Sequence, residues 1–270
     1  MTVIGSIGRI AIAPVKGLAL VHPAAVDVTT DGVPGDRGYV MLDSAGRLAS
    51  GKRFGPMQTI VPSIMPSIAG NRERLSLRFP DGTVVEDDVD PGDEVEAIFY
   101  GAARPARLVR GPFAAALSAF AGQPLTVVRL EHGLGLDRAD EGGMVSIQSS
   151  AALATMAEAA GLDAPVDWRR FRMTFTLDGV PAHAEDGWVG QAVRIGGAVV
   201  RPGGNIGRCA VTTQDPDTGL RSLDTLRLIA ETRGDVLATE PLPFGVWAEV
   251  VVPGRVGIGD PVELVDGERR

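Results

Sequence analysis

Cys209 is the only cysteine in the 270 residues, and it sits in the run RCAVTTQDPDTG, Arg208 to Gly219. A thiolate is both a nucleophile and a soft metal ligand, and a neighbouring guanidinium favours it over the thiol. Arg208 supplies that guanidinium from the next position in the chain. The plainer reading of a lone cysteine is a small buried hydrophobe. Other residues could bind anions. Lys16 ends an apolar segment and precedes Gly17, which predicts an ammonium at a strand end. Arg37 opens a strand and could offer its fork to a phosphate or carboxylate, or simply pair with Asp36 or Asp31. Arg170 and Arg172, read as strand residues, share one face and could grip a phosphate, or could guard a sheet edge. Asp140-Glu141-Gly142-Gly143 closes a glycine-rich loop whose consecutive N–H groups could cradle an anion. His22, His132 and His183 are scattered, without the spacing of a zinc site.

Composition narrows the partners. A formal charge of -8 disfavours nucleic acid and anionic membranes, which demand a cationic surface. With 44% apolar and 22% charged residues the chain is globular. No apolar run approaches the ~18 residues of a membrane-spanning helix. The N-terminus reads as a first strand, not a signal peptide, so a reducing cytoplasm is the expectation.

Short strands and turns must position these residues. The first ~120 residues read as mostly β, with turn signals roughly every 8–12 residues. Helices are expected over 112–121, 150–160 behind a Ser149 cap, and 223–233, each followed by a glycine. Around the cysteine, Pro202 to Gly207 reads as a tight loop and Val211 to Thr213 as a short strand. Asp215 to Gly219 is a turn.

Taken together, these pieces resemble the MOSC family, named for the C-terminal domain of molybdenum-cofactor sulfurases. RCAVTTQDPDTG resembles the family's cysteine motif and RFRMTFTLDGVPAHAEDGWVG, Arg170 to Gly190, its second. APVKG, Ala13 to Gly17, and GVPGDRGYVMLD, Gly32 to Asp43, resemble its N-terminal β domain. The resemblance implies a mostly β architecture with a few short helices: two β-barrel-like domains, residues 1–122 and 123–270, flanking a cofactor crevice. It also implies that Cys209 ligates molybdenum or carries sulfur. Lys16, Arg37 and Arg172 would hold the molybdopterin, and Arg208 and the Gly142-Gly143 backbone would add donors. The function so implied is reduction of N-hydroxylated or related N-oxygenated small molecules, with electrons from a separate donor protein. Gly17, Thr174 and Ile206 stand where the family usually has other side chains. Two alternatives therefore stay open: a sulfur carrier with a Cys209 persulfide supplied by a cysteine desulfurase, and a non-catalytic cofactor-binding protein.

Overall fold

A computed structural model describes residues 2–49, 51–67 and 72–265. Seven strands close into a barrel. Around it run Thr2–Ile10, Phe175–Asp178, Val145–Ser149, Pro243–Val252, Ala198–Gly207, Val193–Ile195 and Pro261–Leu264, which pairs back onto Thr2–Ile10. Alternation builds the interior. Ile7, Ile147, Phe175, Leu177, Val193, Ile195, Val246 and Ala248 point inward from their strands and share one core. The pair Val145–Ser149 with Phe175–Asp178 is parallel, the others antiparallel. A parallel pair needs a crossover. The helix Phe113–Ala121, α1, belongs to the other half; the crossover carries α2, Ser150–Ala160, which with α3, Thr225–Arg233, packs outside the barrel around Leu153, Met156, Phe171, Leu228 and Phe244.

The other half consists of two antiparallel sheets. Four strands run in the order Tyr39–Leu42, Thr126–Leu130, Ala102–Arg110, Asp90–Phe99, and three in the order Val61–Pro66, Glu73–Arg78, Val84–Asp88. Tyr39 and Met41 join Leu75, Leu77, Phe113 and Leu117 in one core, while Val40 and Leu42 face a second with Phe99 and Val128. Tyr39–Leu42 is thus buried on both faces, which is why it reads as a continuous apolar run.

The expected mostly β architecture is present, with three α-helices among the described residues. The sheets do not follow a cut between 122 and 123. Thr2–Ile10 lies in the barrel with the C-terminal strands, and Thr126–Leu130 lies in the four-stranded sheet. Among the described residues, no helix is long and apolar enough to cross a membrane.

Three local expectations are corrected. Pro202 to Gly207 is the end of the strand Ala198–Gly207, not a free loop. Ala210–Thr213 is a 3-10 turn, not a strand. There the Thr212 and Thr213 hydroxyls donate to the carbonyls of Cys209 and Ala210, so threonines that favour strands instead close a turn. Trp168–Phe171 is also 3-10, and Arg172 follows it in the left-handed region at φ 54°. Arg170 and Arg172 therefore diverge. Arg170 turns to the Thr213 carbonyl and the Ser222 hydroxyl, away from any shared face.

Candidate functional site

Two sequence-distant segments are buttoned together first. Lys16 N–H donates to the Tyr39 carbonyl, and Arg37 N–H to the Ala13 carbonyl. The buried Asp36 carboxylate accepts from Ala13 N–H and from the Arg37 guanidinium, at 2.8 and 2.5 Å. The Arg37 side chain is thereby held only 13% exposed, and its Nη2 reaches across to the Arg172 carbonyl at 2.8 Å. Arg172 Nη2 donates to the Leu18 carbonyl at 2.7 Å, and its Nη1 lies 3.4 Å from Gln58 Oε1. The left-handed corner at Arg172 presents its carbonyl to one half and its side chain to the same half.

These contacts frame a crevice of about 180 Å³ between the barrel and the two-sheet half. Lys16, Arg37, Arg172, Arg208, Gly143 and Cys209 all line it. The half-buried Cys209 stands at the start of its 3-10 turn. Leu136, Val145, Phe171, Met173, Ile206 and Trp247 make much of the wall apolar. Among the described residues six cationic ones line the crevice, Lys16, Arg37, Lys52, Arg138, Arg172 and Arg208, against one carboxylate, Asp137. In a chain of net charge -8 this is a local reversal of sign, and it suits an anionic ligand.

The cations differ in what they have left to give. Lys16 Nζ donates to the Gly135 carbonyl at 2.7 Å and to Asp137 Oδ1 at 2.6 Å. Burial lowers its pKa, and Asp137 opposes that shift. An ammonium has three donors, so one remains. Burial, with Arg37 close by, lowers the Arg172 pKa to about 10, and it stays charged at neutral pH. Asp137 lines the crevice with 59% of its side chain accessible. Its carboxyl is held down at about 2: burial opposes this, and the Lys16 charge and hydrogen bond outweigh burial.

Two expected donors are already spent. Arg208 donates through Nε and Nη2 to the Phe244 carbonyl and through Nη1 to the Phe171 carbonyl. Gly142 N–H donates to the Ala139 carbonyl and Gly143 N–H to the Arg138 carbonyl, within their own turn. Gly142, at φ 83°, does not line the crevice. Its turn geometry consumes the N–H groups that a loop would have offered. Conversely, nothing local in the sequence marks Asp137, Tyr100 or Gln58. Asp137 looks like any solvated acid in the polar run Glu131 to Gly143, and Tyr100 like the last residue of a strand over 94–100. Only the fold brings them beside Lys16 and Arg172.

Residues 137–263 match the family model described as the MOSC domain. A stretch of 111 residues is 34% identical to mitochondrial amidoxime-reducing component 1 of Xenopus laevis, covering 38% of this chain and 32% of that protein. A stretch of 99 residues is 35% identical to mitochondrial amidoxime reducing component 2 of Homo sapiens, covering 34% and 29%. The chain thus spans about a third of the length of the curated relatives it matches. The crystal structure of the YuaD protein from Bacillus subtilis overlays on 96% of this chain and 93% of its own, at a TM-score of 0.42 and 12% identity.

Proposed function

We propose, from the match of residues 137–263 to the MOSC-domain model, that the chain is a molybdenum-cofactor-dependent reductase of N-hydroxylated or related N-oxygenated compounds, taking electrons from a separate donor protein. The observation that carries the proposal is the crevice itself. It sets the chain's single thiol among six cations and one carboxylate. That donor set fits the group: a soft thiolate for a sulfur-rich metal centre, and ammonium and guanidinium groups for a phosphate and a polar pterin edge. The amidoxime-reducing names of the relatives support the substrate class.

When bound, the cofactor supplies two-electron oxygen-transfer chemistry. This chain's residues do the rest. Cys209 would ligate the metal. Lys16, Arg37 and Arg172 would hold the anionic part, each fixed by partners behind it so that little side-chain entropy remains to be lost. Arg208 braces the wall through the Phe171 and Phe244 carbonyls and leaves binding to the other cations. The apolar wall from Phe171, Met173 and Trp247 excludes water from the reacting group.

The test is metal content followed by turnover. Protein from a cofactor-competent host is expected to hold molybdenum and to reduce benzamidoxime with a chemical electron donor. Cys209→Ala should lose turnover and retain less metal, by about tenfold or more. Metal-loaded wild type that turns over neither amidoximes nor hydroxylamines would defeat the reading. A second reading rests on the half-exposed thiol alone: a sulfur carrier, in which Cys209 takes a persulfide from a cysteine desulfurase. It predicts a mass gain of about 32 Da after incubation with that enzyme and cysteine.

A further inference from the structure

Among the described residues Asp137 is the one carboxylate lining a crevice otherwise furnished with cations. Both of its side-chain hydrogen bonds fall on the same oxygen. Oδ1 accepts from Lys16 Nζ at 2.6 Å and from the Tyr100 hydroxyl at 3.4 Å. Among the described residues no donor reaches Oδ2, and 59% of the side chain remains accessible. The carboxylate is thus oriented by one oxygen and open at the other.

Tyr100 is placed for this by its turn. It forms, with Gly101, the two-residue tip between the strands Asp90–Phe99 and Ala102–Arg110, and both residues have positive φ, 48° and 89°. Such a tip matches the twist of its strands. It carries the phenol over the crevice, 73% exposed, with its hydroxyl turned to Asp137.

An anion gains nothing from this carboxylate. A ligand with N–H donors does. An amidoxime carries an amino group beside its oxygenated carbon–nitrogen unit, and the amidine formed by its reduction is a planar cation with N–H donors that match a carboxylate. We propose that Asp137 is the specificity-determining residue of the crevice: Lys16 and Tyr100 fix Oδ1, and Oδ2 accepts an N–H of the substrate. The crevice thereby selects N-oxygenated compounds with an adjacent N–H donor, amidoximes and N-hydroxyguanidines, over tertiary-amine N-oxides. This rests on the reductase reading for its substrate class.

The experiment compares the wild type with Asp137→Asn, both as cofactor-loaded protein. Calorimetry with benzamidinium reads the carboxylate directly, without turnover. The dissociation constant is expected to rise at least about tenfold, the loss that follows when a charged acceptor is replaced by a neutral one. In steady-state assays KM for benzamidoxime should rise by a similar factor with kcat little changed, a loss of uniform binding. KM for a tertiary-amine N-oxide should move less than about threefold. Tyr100→Phe keeps the ring and removes only the donor to Oδ1, and should give a smaller shift in the same direction. Equal benzamidinium affinity in wild type and Asp137→Asn overturns the proposal. So does a variant whose molybdenum content falls in step with its activity, since Asp137 would then act through Lys16 on the cofactor. If the wild type reduces no N-oxygenated compound, the reductase reading fails by itself, and the benzamidinium comparison still decides whether Asp137 accepts the cation.

Discussion

The guanidinium of Arg208 touches three backbone and side-chain acceptors: the carbonyls of Phe244 and Phe171 and the sulfur of Met173. It also lies 5.5 Å over the Phe171 ring, which stacks on Phe244 at 4.0 Å. Burial lowers its pKa to about 10, so it is charged at neutral pH inside a largely apolar wall. Those carbonyls need a fork, and lysine has none. Arg208→Lys should therefore cost on the order of 2–3 kcal/mol of unfolding free energy, read from urea denaturation, and a loss under 0.5 kcal/mol would show that the fork is not needed. The sequence made the thiol and the clustered basic residues legible, because residue type and rarity are local properties. Which N–H groups were already spent was not legible. The acceptors for Arg208 lie 36 positions away at Phe244 and 37 positions away at Phe171, and no spacing rule reaches that far.

Between elements, the cysteine segment is tied to the two-sheet half by a chain of amides. Gln214 Nε2 donates to the Gly51 carbonyl at 2.9 Å, Gln58 Nε2 donates to Gln214 Oε1 at 2.5 Å, and Gln58 Oε1 faces Arg172. Beside them two backbones meet. A Cβ at Gly219 would lie 2.1 Å from the Gly55 carbonyl group, and one at Gly55 would lie 1.9 Å from the Gly219 oxygen. Gly219 also has φ 72°. Gly219→Ala must both strain its own backbone and push the halves apart, so a loss of about 2–4 kcal/mol is expected. Alkylation of Cys209 by iodoacetamide should quicken in the same variant as the crevice loosens. Unchanged stability and unchanged alkylation would mean that the contact does not hold the halves. The turn Asp215 to Gly219 was readable because Asp-Pro-Asp-Thr-Gly has turn chemistry of its own: Asp215 Oδ1 accepts from the Asp217 and Thr218 N–H groups. The 3-10 turn at Ala210–Thr213 was not, because β-branched Val211, Thr212 and Thr213 favour strands until the two threonine hydroxyls find carbonyls one turn back.

At the scale of the molecule, β content and strand-sized segments follow from alternation, but barrel closure does not. Thr2–Ile10 closes the barrel by pairing with Phe175–Asp178 and Pro261–Leu264, partners more than 160 positions away. The 3-10 segment Ala184–Trp188 and its N-cap carry two titratable groups that the fold shifts, Glu185 and His183. Glu185 is fully buried, with Oε1 accepting from Ser149 N–H and Oε2 without a partner among the described residues. Burial raises its pKa from 4.5 to about 7. His183 packs edge-on to Phe244, and burial, with Arg233 adding, lowers its pKa from 6.5 to about 4. The folded protein therefore holds more protons at Glu185 than the unfolded chain between pH 4.5 and 7, and its contribution to stability falls as pH rises through that window. At His183 the folded state holds fewer protons between pH 4 and 6.5, so that contribution falls as pH drops. The two slopes oppose each other from pH 4.5 to 6.5, where they overlap. Glu185→Gln removes one of them. The stability of the variant relative to wild type should then climb from pH 5 to pH 8 by on the order of 2–3 kcal/mol, whatever the substitution costs at the acid end. Urea unfolding curves for the two proteins at both pH values measure that difference, and parallel pH profiles would mean that Glu185 is not held protonated by the fold.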